Sequence, residues 1–128
     1  MNHVLAVALG GALGAVCRHL VNLSCSHWYQ AHATLGTLAV NVVGCFLIGF
    51  LIPLGTADIP RWNSVTHSAL TVGFIGGLTT FSTLGWETHR LVDQSAIGWA
   101  TLNMGSNIFL GLMAVTLGLQ LGRWMGGM

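Results

Sequence analysis

Apolar residues run along the chain in four long stretches, at residues 4–23, 35–54, 65–91 and 97–121, separated by short polar segments. A helix needs roughly 20 apolar residues to cross the hydrocarbon of a bilayer, and each stretch is about that long or longer. None shows the strict alternation of a half-buried strand or the single apolar stripe of a soluble surface helix. The pattern predicts four transmembrane helices forming one domain over 1–128. Between them lie 24–34, 55–63 with Asp58, Pro60 and Arg61, and 92–96 with Asp93. Trp28, Tyr29, Trp62, Trp99 and Trp124 fall near the expected helix ends, where amphipathic rings anchor at the headgroups.

Composition strengthens this picture. Charged residues make up 5% of the 128, and mean hydropathy is +0.73; a soluble domain carries about 25% charged residues. So few charges cannot keep a soluble domain this small dispersed, which sets aside most soluble enzymes. A net charge of +1 gives no phosphate footprint, so no nucleic acid is expected as a partner. The N-terminal stretch lacks a basic leader and a cleavage signal, and is expected to be the first span. Cys17, Cys25 and Cys45 show no CxxC spacing, and Cys17 and Cys45, inside apolar stretches, are expected to be small buried residues. Cys25, His27 and His32 have poor zinc spacing and are expected at a helix end.

The spans are more than greasy anchors. Gly10-x-x-x-Gly14, Gly73-x-x-x-Gly77 and Gly118-x-x-x-Gly122 are seams that let helices approach closely. Four short helices barely enclose a pore, so close packing favours an oligomer. With alternating spans, Arg61 and Arg123 fall on one side of the membrane and Arg18 and Arg90 on the other. The positive-inside rule then gives no net vote, which permits insertion both ways and an antiparallel dimer.

The third stretch departs from a plain span. Adjacent Gly76 and Gly77 precede Thr79, Thr80, Ser82 and Thr83, a poor continuous helix, and the expected break lies between Gly76 and Thr79. Broken membrane helices commonly turn freed carbonyls toward a cation and half-helix N-termini toward an anion. Thr37 and Asn41 share one face of the second stretch, and Asn103 and Asn107 one face of the fourth. Amides near the bilayer centre are costly and so should face a partner or a polar path.

Gly10-Gly-Ala-Leu-Gly-Ala-Val-Cys-Arg18, Gly36-Thr-Leu-Ala-Val-Asn-Val-Val-Gly44 and Gly73-Phe-Ile-Gly-Gly-Leu-Thr-Thr-Phe-Ser-Thr83 resemble the three signature segments of the CrcB/Fluc fluoride channels, in order and with matching spacing. The resemblance implies an all-α, four-helix membrane protein with a broken third helix, assembled as an antiparallel dual-topology homodimer. It implies passive fluoride export through two pores and a location in the bacterial inner membrane, with lipid around it and no enzymatic activity. It also implies a structural sodium ion on the backbone carbonyls of Gly76 and Thr79 from both subunits. Asn41 matches the pore asparagine and Phe81 the first pore phenylalanine. Arg18 and Glu87 match vestibule positions. Leu84 stands where the family has its second phenylalanine, and Asn103 and Asn107 stand where it often has Tyr and Ser.

Elementary chemistry agrees with that reading. Fluoride is small and strongly hydrated, so a path for it must supply hydrogen-bond donors. Asn41, Asn103, Asn107, Thr37, Ser82 and Thr83 offer them, and the positive edge of a Phe81 ring adds to the set. A lysine or arginine deep in the path would hold the ion too tightly, and no such residue sits mid-span. Phe81 and Leu84 are i,i+3 and are expected on one face, the former meeting the anion and the latter fixing the width. The chief alternative is a small dual-topology multidrug exporter, for which Glu87 is the one candidate carboxylate. A non-transporting assembly subunit is a second, and the asparagine faces argue against it.

Overall fold

A computed structural model describes residues 2–28, 34–56 and 62–127, and among them every regular element is helical. Tyr29, His32, Asp58, Pro60 and Arg61, with the side chains of His27 and Trp28, lie outside the described residues. Helix α1 covers Asn2–Trp28, α2 Thr34–Thr56 and α6 Ile97–Gly126. These three are long and apolar enough to cross a membrane. The remaining stretch is built from pieces. α3 (Ser64–Ser68) begins at Asn63, whose side chain accepts from the Thr66 amide, and runs into a π-helical segment, Ala69–Ile75. A last turn, α4 (Gly76–Leu78), ends at two extended residues, Thr79 and Thr80, before α5 (Phe81–Asp93).

The break therefore falls at the C-terminal end of the expected Gly76–Thr79 segment, at Thr79 and Thr80, and not at the glycines themselves. Gly76 and Gly77 are helical. Glycine weakens a helix without forcing it to end; the interruption comes where tertiary bonds take over the backbone groups of Thr79 and Thr80.

The glycine seams do what their spacing predicts, and all within the chain. A Cβ at Gly10 would strike the Ala69 carbonyl, one at Gly14 the Phe74 carbonyl and one at Gly77 the Gly11 carbonyl. So α1 lies backbone to backbone against the π-helical segment and α4. On the far side a Cβ at Gly49 would strike the Val115 carbonyl, and one at Gly118 the Phe46 carbonyl, so α2 and α6 touch in the same way. Because these seams are filled internally, they no longer argue for an oligomer. Elsewhere a Cβ at Gly76, Gly85, Gly98 or Gly105 meets nothing within 4 Å. The chain also exposes Val72, Phe81, Trp86, Leu102 and Phe109, an apolar surface suited to a membrane.

Candidate functional site

The site is the helix break and the buried polar side chains that α2, α5 and α6 direct at it. In a continuous helix the Thr80 amide would donate to the Gly76 carbonyl. Here it donates to Asn41 Oδ1 at 2.8 Å. The Thr83 amide would likewise serve the Thr79 carbonyl, but it donates to the Thr80 hydroxyl at 3.2 Å, which caps α5. Two side-chain acceptors thus take the amides, and the carbonyls of Gly76 and Thr79 are released. Arg18 from α1 donates through Nη1 to the Thr79 carbonyl at 3.2 Å. Across the break the α5 N-terminus presents the positive end of its dipole.

Asn41 reads the break as a peptide group would. Besides accepting from the Thr80 amide, its Nδ2 donates to the Thr80 carbonyl at 3.3 Å and to Asn107 Oδ1 at 2.9 Å. From there a ladder runs along α6. Asn107 Nδ2 donates to the Asn103 carbonyl at 2.9 Å, Asn103 Nδ2 to the Thr88 hydroxyl at 3.0 Å, and that hydroxyl to the Leu84 carbonyl at 2.8 Å. A parallel pair sits beside it: Thr37, wholly buried, donates to Glu87 Oε1 at 2.8 Å. Glu87 Oε2 is buried with no hydrogen-bond partner among the described residues.

Asn103 also forms part of the wall of a cavity of about 490 Å³ between the start of α2, the end of α5 and the start of α6. Thr34, Gln94, Ser106 and Trp99 contribute to it, and among the described residues Arg90 is its sole charged lining residue. The cavity joins an exposed cation to the lower end of the ladder.

The sequence-derived site residues divide into two groups. Asn41, Asn103, Asn107, Thr37 and Glu87 converge in the interior. Of the two residues matched to vestibule positions, Glu87 is 6% exposed and Arg18 lies against the break; spacing along a helix does not disclose which neighbour a long side chain reaches. Phe81 and Leu84 part company as well. Phe81 is 79% exposed and Leu84 4%, because α5 packs on α6 through the Leu84 side and turns Phe81 outward. Ser82 is exposed, with its hydroxyl 3.2 Å from that of Thr80, and the Thr83 hydroxyl accepts from Thr80 at 3.0 Å. The sequence places Thr80 at the break without assigning it the cap of α5, and gives no role to Thr88, the ladder's link to α5. The Thr80-x-x-Thr83 spacing carried a capping signal; Thr88 carried none.

The model of the family described as CrcB-like protein, Camphor Resistance (CrcB), matches residues 5–119. The chain belongs to this family. It is 42% identical over 122 residues to a fluoride-specific ion channel FluC of Acidobacterium capsulatum, covering 93% of this chain and 94% of that one. It is 37% identical over 131 residues to one of Chloroflexus aurantiacus, covering 99% and 100%, and 39% identical over 120 to one of Hydrogenovibrio crunogenus, covering 94% and 90%. Family membership and the three apolar helices make this a multi-pass membrane protein.

Proposed function

We propose that the chain is a fluoride-selective channel that lets fluoride leave the cell passively, as its relatives' names suggest. The observation that carries this reading is the buried ladder of amide and hydroxyl groups ending at a helix break, with no fixed cation among its members. Amide and hydroxyl protons replace the water that fluoride gives up, and neutral donors let it go again. Arg90 at the cavity mouth gathers anions, and Asn103 and Asn41 pass the ion along the face they share with Asn107 toward the break, joined by the hydroxyls of Thr37, Ser82 and Thr83. Glu87 is tied to Thr37 and absent from the cavity wall, which disfavours the exporter reading.

The functional unit we propose is an antiparallel homodimer of four-span chains in the bacterial inner membrane, Ser64–Ser68 through Asp93 forming the broken third span. The outward Phe81 supports it, since its ring edge can line a path only if a second copy covers it. The open glycines leave room for that copy. A structural sodium ion fits the break: the Gly76 carbonyl is released and its residue faces outward with open space beside it. Carbonyls of Gly76 and Thr79 from two copies would hold the ion, and the ion would supply a positive centre at the break. Arg18 already donates to the Thr79 carbonyl, so that oxygen would be shared.

Fluoride efflux from proteoliposomes, with chloride as control, tests the channel. Fluoride is expected to leave and chloride to stay. Equal passage of both ions sinks the assignment. C-terminal tags should report both sides of the membrane in comparable amounts; a single orientation excludes the antiparallel pair.

A further inference from the structure

Asn41 has two side-chain amide protons, and the structure commits both, one to the Thr80 carbonyl and one to Asn107 Oδ1. Its orientation is fixed from outside. The Thr80 amide can only donate and its carbonyl only accept, so Oδ1 must take the amide and Nδ2 must lie on the side of the carbonyl and Asn107. At the other end the Asn103 carbonyl can only accept, so Asn107 must turn Nδ2 to it and Oδ1 to Asn41. Neither amide can flip without placing two donors or two acceptors together. The proton shared with Thr80 belongs to the break; the one shared with Asn107 faces the ladder.

We infer that Asn107 is a latch on Asn41: its Oδ1 occupies the Asn41 amide proton that a fluoride ion in the ladder must take. This rests on the channel reading and assigns Asn107 a role other than donor to the ion. A charged acceptor outcompetes a neutral amide oxygen for one proton, because hydrogen bonds to ions are roughly twice as strong. Fluoride therefore opens the pair. Asn107, still tethered through Nδ2 to the Asn103 carbonyl at 2.9 Å, stays in place to close it when the ion departs. The latch weakens binding at Asn41 and speeds release, as a conducting path requires. Asn107 is a positioning residue, acting on the ion through Asn41.

The full-length protein in proteoliposomes, with Asn107→Ala and Asn107→Ser, tests this. Neither short side chain reaches Asn41 with an acceptor, and the serine variant fills more of the space should alanine fail to fold. Initial efflux measured against sodium fluoride concentration should give a half-saturating value about fivefold lower than wild type, the factor that one net hydrogen bond represents. If Asn107 donates to the ion, both variants raise that value, and an unchanged value overturns the latch equally. The side-chain amide resonances of 15N-labelled protein supply a readout free of transport. Without fluoride, those of Asn41 should move on substitution of Asn107, and identical spectra refute the pair. Wild-type protein that passes no fluoride would strike the channel reading, while the resonances would still decide the latch.

Discussion

Replacing Thr37 by valine removes one hydroxyl from a wholly buried site and changes almost nothing else. The two side chains have nearly the same shape, so no cavity opens. Glu87 Oε1 accepts from this hydroxyl at 2.8 Å, and Oε2 already lacks a partner. The substitution leaves a carboxyl that is 6% exposed with neither oxygen bonded to a described side chain. A buried polar group left unsatisfied costs about 1–3 kcal/mol. For a domain of this length that lowers the melting temperature by roughly 5–10 °C. Thermal unfolding of the detergent-solubilised protein, followed by tryptophan fluorescence, measures it. A second variant, Glu87→Leu, removes the carboxyl, and in that background Thr37→Val should cost little, since the penalty lies in the stranded oxygen. Melting of Thr37→Val within a degree of wild type would refute the reasoning, as would equal losses in both backgrounds.

Gly14→Leu forces a side chain into the Phe74 carbonyl and should prevent α1 from docking, whereas Gly105→Leu projects into open space and should leave the chain folded; melting curves separate the two. If a second copy covers Gly105, cross-linking in vesicles should show fewer dimers for Gly105→Leu, and an unchanged yield places lipid there. Leu84→Ala should cost about 2–5 kcal/mol as a core truncation, while Phe81→Ile should leave stability alone and cut fluoride efflux; the reverse pattern would contradict their burial. Asn41→Asp removes the donor to Asn107 and the Thr80 carbonyl and adds a charge of the ion's own sign, so efflux should stop; wild-type efflux would place Asn41 outside the path.

Much of this arrangement is legible in the sequence, and the limits have physical causes. Hydropathy located α1, α2 and α6 to within a few residues, because a helix in hydrocarbon must satisfy its own backbone and the apolar run sets its length. The x-x-x spacing of glycines identified surfaces that do meet, since only small residues permit backbone contact. The break is placed only within Gly76–Thr79 by local propensity, which points to the weakest helix formers. It occurs at Thr79 and Thr80 because Asn41, 39 residues away, takes the Thr80 amide, and no local scale contains that bond. Thr37, Asn41, Asn103 and Asn107 could be assigned to faces, but their pairing depends on how two helices rotate against each other. The same rotation buries Leu84 and exposes Phe81, three residues apart on a single turn.

The ladder also has a history in time. A ribosome delivers α2 to the membrane before any partner of Asn41 exists: Thr80 follows 39 residues later and Asn107 follows 66 later. During that interval a bare amide sits among lipid tails, and α2 presents the glycine face that α6 will eventually cover. Thr80 and Glu87 reach α2 first, but the Asn41–Asn107 bond and the close-packed glycine contacts of α2 wait for α6. A transcript cut short before α6 would yield a membrane-inserted fragment with one Asn41 amide proton unclaimed and an uncovered glycine groove, two features by which quality-control proteases can tell it from the finished protein.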